Sequence, residues 1–141
     1  MILDKENMFS KDQAVTATAA STSTVDLGPG DAGPSERASL FVTANPAFTG
    51  AGTLSVDLQT SDTVDGTGYP TTPVTVASYA VSNAMLLAGG KLAASRLPHG
   101  CKRYLRLVYT VTGTVAAGKL TAGLVWDVQA ESPVPTGPSG I

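Results

Sequence analysis

The sequence predicts an all-β protein, a jelly-roll or Greek-key β-sandwich of about eight short strands. Three observations predict it. Apolar and polar residues alternate with period two along much of the chain, while the 3.6-residue period of helices is nearly absent. Polarity comes from hydroxyls: Ser and Thr fill about thirty of 141 positions, whereas charged residues reach 14%, against roughly 25% in ordinary soluble domains. Hydrophobic residues reach 43% but aromatics only 6%, so the apolar fraction is mostly Ala, Val and Leu, a composition for small strand-on-strand contacts.

In chain order, residues 1–12 hold Ile2, Leu3, Met8 and Phe9 without a clear period. They are expected to form an N-terminal arm that packs under the sandwich or crosses to a neighbouring subunit. Residues 13–131 are assigned to the sandwich. Within them, the run 13–21 places Val15, Ala17 and Ala19 on one strand face, and 24–27 is a short strand. Further strands are expected at 40–44, 74–81 and 92–97, each bounded by Gly, Pro or Asn, the punctuation of turns. Three strands alternate most clearly: Leu54, Val56 and Leu58; Leu105, Leu107, Tyr109 and Val111; and Leu120, Ala122, Leu124, Trp126 and Val128. Trp126 reads as a core anchor. A helical turn fits 82–87. The connections 28–35 and 61–73 are too long for tight hairpins, which favours strands that cross between sheets. Residues 132–141 form a Pro- and Gly-rich tail in which Pro133, Pro135 and Pro138 block both helix and sheet.

Function classes narrow quickly. A net charge of -2 is the wrong sign for a protein that coats nucleic acid. No run approaches the roughly 18 apolar residues that cross a bilayer. Asp4 and Glu6 stand where a secretory leader would be basic, so synthesis and folding are expected in a cytoplasm. A single Cys and a single His leave no internal disulfide and little metal or acid–base chemistry.

Local motifs resolve into turns. Gly28-Pro29-Gly30-Asp31-Ala32-Gly33 matches a dinucleotide fingerprint in letters, but Pro29 and Pro34 deny it the helix opening that phosphate binding requires. Asp62, Asp65 and Gly66 lack the further ligands of a calcium loop. His99 and Cys101 flank Gly100 without an orienting acid or an oxyanion hole. No catalytic residue, cofactor or metal is expected, and the protein is read as non-enzymatic. The one concentration of charge is Lys102, Arg103 and Arg106, with Arg96 nearby in sequence. It is either a solvated strand edge or a positive patch for carboxylates on a partner protein.

Two segments resemble a known family. One is Ile2-Leu3-Asp4 with Phe9-Ser10-Lys11-Asp12-Gln13-Ala14-Val15-Thr16-Ala17-Thr18-Ala19-Ala20-Ser21-Thr22 and Val25-Asp26-Leu27-Gly28. The other is Arg103-Tyr104-Leu105-Arg106-Leu107, Tyr109-Thr110-Val111-Thr112-Gly113-Thr114 and Ala117-Gly118-Lys119-Leu120-Thr121-Ala122-Gly123. Both resemble the capsid cement, or decoration, proteins of tailed bacteriophages, of the kind found on a Bordetella podophage. The resemblance implies a jelly roll that sits on the outer surface of an HK97-type shell, as an oligomer with a dimer favoured, and bridges capsomers of the major capsid protein. On that reading Ile2, Leu3, Met8 and Phe9 form a capsid-binding arm, and Arg103 and Arg106 pair with shell carboxylates. Neither nucleic acid nor membrane is an expected partner. The competing reading is a glycan- or receptor-binding jelly roll, for which Tyr69, Tyr79 and Trp126 are the available stacking surfaces.

Overall fold

The computed structural model describes residues 5–28, 38–98 and 100–126. A short 3-10 turn, Lys5–Asn7, leads into β1 (Met8–Ala14), β2 (Ala19–Ala20), β3 (Val25–Asp26), β4 (Ala38–Ala44), β5 (Thr49–Gly50), β6 (Thr53–Ser61) and β7 (Val74–Val81). Helix α1 (Asn83–Ala88) follows, then β8 (Gly90–Arg96), β9 (Tyr104–Thr112), β10 (Val115–Ala116) and β11 (Lys119–Trp126). One sheet has the order β1-β11-β4-β8; the other has β9 between β6 and the edge pieces β2 and β3, with β7 beyond β6. Every pairing is antiparallel.

Apart from the β6–β7 hairpin, each step between main strands switches sheets, because β1, β4, β8 and β11 share one sheet and β3, β6, β7 and β9 the other. That is the double Greek key of a jelly roll. The inner faces supply one core: Leu40, Val42, Leu120 and Ala122 from the first sheet meet Val56, Leu58, Leu105 and Leu107 from the second. The alternation predicted for β6 and β9 points as expected, with Leu54, Val56 and Leu58 buried and Ser55, Asp57 and Gln59 half-exposed. In β11 Leu120 and Ala122 face the core, but Val125, expected on the outer face, is buried as well.

Two expectations near the N-terminus are corrected. Residues 8–12 are not an arm. Strand β1 pairs with β11, with Met8 opposite Gly123 and Ser10 opposite Ala122, and Phe9 is fully buried in the core. A large aromatic with no exposed surface belongs to the sandwich; Ile2 and Leu3 lie outside the described residues. The run 13–21 is not one strand either. Strand β1 ends at Ala14, Val15 turns into the core and residues 16–18 bend outward before β2. The expected tail, and the side chain of Trp126, also lie outside the described residues.

The second sheet's edge is broken between β2 and β3, and Ser21 mends the break. Its N–H donates to the Leu107 carbonyl at 2.8 Å. Its hydroxyl accepts from the Leu107 N–H at 3.1 Å and donates to the Ser23 carbonyl at 2.8 Å. Ser21 has no exposed surface, so its hydroxyl stands in for the backbone acceptor that a continuous strand would offer. Ser21→Ala should strand the Leu107 N–H away from water and destabilise the protein by about 1–3 kcal/mol. Urea unfolding of the variant checks this, and an unchanged midpoint would show that water replaces the hydroxyl.

One buried polar chain crosses between the sheets. Ser10 Oγ donates to Gln13 Oε1 at 2.6 Å, which leaves the Tyr109 hydroxyl to donate to Ser10 Oγ at 2.8 Å. Gln13 Nε2 then donates to the Ala20 carbonyl, and Gln13 Oε1 accepts from the Thr22 N–H. Among the described residues no buried side-chain polar atom lacks a partner, as a stable core requires.

Candidate partner-binding surface

The register separates two ends of the sandwich. At one end β9 begins, with Tyr104 opposite Ser61 and Asp26; at the other it finishes, with Thr112 opposite Thr53. A strand of this length places them roughly 25–30 Å apart.

The first end holds the basic residues, and it is nearly neutral. Arg103 grips Asp26 with two hydrogen bonds, Nε to Oδ1 at 2.8 Å and Nη2 to Oδ2 at 3.0 Å, and lies over the Tyr104 ring at 4.9 Å. The guanidinium, with help from the Gly28 N–H, holds the Asp26 carboxyl below its ordinary range. Lys102 Nζ lies 3.3 Å from Asp62 Oδ2. Arg106 donates to Gln59 Oε1 at 2.8 Å, so it alone of the three faces an amide. Arg96 belongs to β8 in the other sheet. The expected positive patch is therefore largely paired within the chain, and it lies on and beside the central strand β9, where edge protection is not needed.

The remaining sequence candidates at this end serve the fold. Asp65 Oδ1 accepts from the Thr67 N–H at 2.8 Å, the Thr67 hydroxyl at 2.6 Å and the Tyr69 N–H at 3.0 Å. These bonds lower its pKa, with the Thr67 hydroxyl contributing most, and close the loop as an Asx turn. The Tyr69 hydroxyl donates to the carbonyls of Ser21 and Thr22. Cys101 is half-buried, its thiol directed to the Pro98 carbonyl at 3.3 Å and its pKa raised by burial; His99 and residues 29–33 lie outside the described residues. No group of three or more His, Cys, Asp or Glu that could hold a metal occurs among the described residues. No helix among them is long and apolar enough to cross a membrane.

The second end carries α1 and the small β5–β10 sheet. Ser82 caps the helix, its hydroxyl accepting from the Met85 N–H. Asn83 Nδ2 donates to the carbonyls of Gly50 at 2.9 Å and Gly52 at 2.8 Å. The Phe48 N–H donates to the Leu86 carbonyl at 3.0 Å. Leu86 plugs the core at 1% exposure, while its neighbours Met85 and Leu87 stay 39% and 49% exposed. The expected helical turn at 82–87 is thus present, and it displays two apolar side chains that no periodicity in so short a run assigns to the outside.

Charge is sparse here: β5, α1 and β10 carry none, while the exposed Lys91 and Lys119 stand beside them at the starts of β8 and β11. The segments 38–56, 66–90 and 107–118, which include β5, β7, α1 and β10, contain no Asp, Glu, Lys or Arg.

The family model Bbp16 matches residues 9–124. The chain belongs to the Bbp16 family. The Bbp16 match begins at Phe9 in β1 and ends at Leu124 in β11, so it takes in both sheets, both ends and the strand first expected to be an arm. No curated protein is a significant match to the chain.

Within this Bbp16 sandwich, two of the three aromatics considered for glycan stacking are held by the fold, while the side chain of Trp126 lies outside the described residues. Tyr79 is partly buried against the core, and Tyr69 is half-buried with its hydroxyl fixed.

Proposed function

We propose that this Bbp16-family protein is a structural component of a tailed-bacteriophage virion that binds the outside of an HK97-type icosahedral shell. There it cements neighbouring capsomers of the major capsid protein and stabilises the expanded, DNA-filled head. One observation carries the reading. The two segments that resemble cement proteins lie far apart in sequence, yet they fold as neighbours: β1 pairs with β11, and β2 and β3 pair with β9. The resemblance therefore falls on one contiguous half of a jelly roll, and the Bbp16 match spans the same strands.

Cementing needs no chemistry beyond binding. A protein that binds the expanded shell and not its alternatives stabilises that state by an amount that grows with the logarithm of its free concentration relative to its Kd. A homo-oligomer touching two capsomers gains avidity, because its second contact is effectively intramolecular.

Heads stripped of the protein should release DNA at a lower temperature, and adding the purified protein back should restore the original release temperature. Nuclease-accessible DNA, followed while heating, measures this. Identical release curves for empty and fully occupied heads would sink the cement role.

A further inference from the structure

We infer that β7 is a pairing edge, and that its occupant is β7 of a second copy of this chain, joined antiparallel about a two-fold axis. The inference stands apart from the cement reading, because the purified full chain in solution tests it.

The edge is open. Strand β7 closes one side of its sheet, with β6 on one flank and no strand on the other. Beyond the ladder to β6, no main-chain hydrogen bond of β7 occurs among the described residues; Thr75 and Ser78 bond through their hydroxyls alone. A row of unpaired N–H and C=O groups is a template for another strand.

The edge is also undefended. Charge, proline, bulges and brevity are the usual protections. Strand β8, an edge of the first sheet, carries Lys91 and Arg96; β1, its other edge, carries Lys11 and Asp12 and slips register twice. The far side of the second sheet is broken into the two-residue β2 and β3. Strand β7 contains no charge, proline or glycine, and five of its eight residues are Val, Thr or Tyr, types that suit strands. Its one bulge residue, Val76, lies near its start and leaves 77–81 in regular register with 54–58.

The exposed apolar residues select the occupant. Among the described residues three large apolar side chains are exposed, and they bracket this strand: Val74 opens it at 54% exposure, while Met85 and Leu87 follow its end on α1. Antiparallel pairing about a two-fold brings Val74 of each copy toward the Met85 and Leu87 end of the other, so the apolar groups at both ends find cover together. Charge agrees. A β7–β7 pair sets no like charges opposite each other, whereas an overlapped β8–β8 pair would set Lys91 beside Arg96. Asp62 and Asp65 stand in the loop before β7, with Lys102 already held by Asp62, and Lys91 lies just beyond α1. Pairing therefore turns the acidic loop of one copy toward the lysine of the other. Because the contact uses both β7 edges at once, it closes as a dimer and does not grow into a filament.

Sedimentation equilibrium should give a single monomer–dimer equilibrium, with dimer dominant at roughly 100 μM chain. Thr75→Lys/Ala80→Lys, at two exposed positions, should weaken dimerisation at least roughly tenfold, since lysine on an edge opposes pairing. Val74→Ser/Leu87→Ser should weaken it in the same direction. Ala94→Lys, exposed on the β8 edge, should dimerise as wild type does. Amide exchange across 77–81 should slow as concentration rises, a readout that needs no variant.

A chain that stays monomeric at roughly 1 mM, or that assembles beyond the dimer, would overturn the inference. So would a dimer that forms equally well in Thr75→Lys/Ala80→Lys and leaves exchange in β7 unchanged. A monomer that still restores stripped heads would overturn the pairing and leave the cement reading intact; a β7-paired dimer that fails to bind heads would do the reverse.

Discussion

Gly118→Ala should destabilise the protein by about 3–5 kcal/mol, as much as deleting a buried aromatic side chain. The Phe48 ring lies flat across this glycine. A Cβ built there would stand 2.2 Å from Cγ and 2.4 Å from both Cδ atoms of the ring, inside any tolerable contact distance. Phe48 cannot simply swing aside, because it is 2% exposed within the core. The backbone has little freedom as well: the Gly118 N–H donates to the Ala116 carbonyl at 2.8 Å around Ala117, whose φ is 63°. Either Phe48 leaves the core or the β10–β11 turn opens. Chemical denaturation measures the loss, and Gly66→Ala is the control, since a Cβ at Gly66 meets nothing within 4 Å. In a Phe48→Ala background the cost of Gly118→Ala should largely vanish, the non-additivity expected of two groups competing for one space. A Gly118→Ala midpoint equal to wild type would refute the close packing.

The second large effect appears in alkali. Burial pushes the Tyr109 hydroxyl from an ordinary pKa of 10.0 up to about 12, against a smaller opposing pull from its bond to Ser10. A raised folded-state pKa has a definite sign. The folded protein keeps the proton while the unfolded chain releases it, so the contribution is complete below pH 10 and lost as pH rises through about 12. A shift of this size corresponds to about 3 kcal/mol. Urea midpoints should therefore fall more steeply between those pH values in wild type than in Tyr109→Phe, which has no proton to lose at that position. Absorbance at the tyrosinate band should show a late step in wild type that the variant lacks. Matching pH profiles in the two proteins would mean that Tyr109 ionises in place.

What could be read from the sequence follows from which strands have one clean buried face. Strands β6, β9 and β11 are flanked by strands on both sides, and their inner residues are nearly all Leu, Val, Ala or Tyr, so period two survives in the letters. Strand β1 hides the same role. Its register slips twice against β11, Asp12 adopts a φ of 48°, and one of its buried residues is Ser10. A serine there is explicable only through Tyr109, which lies 99 residues away. The basic cluster misled for a similar reason. Lys102, Arg103 and Arg106 are adjacent in sequence, whereas the carboxylate that holds Arg103 arrives from β3, 77 residues earlier. Met85 and Leu87 escaped notice because a six-residue helix is too short to show which of its apolar residues point inward.

The place of β11 between β1 and β4 also sets the order of events at the ribosome. Until residues 119–126 have been synthesised, β1 and β4 have no strand between them, and Phe9 lacks the neighbour that closes its side of the core. Early folding is limited to the β6–β7 hairpin, the one pairing among the described strands that joins neighbours in sequence. The jelly roll must therefore be completed late, by joining its first long strand to its last, and pairings of that span are slow to form. Through most of its synthesis the chain carries half-formed apolar strands, and their very low charge gives nascent copies little mutual repulsion.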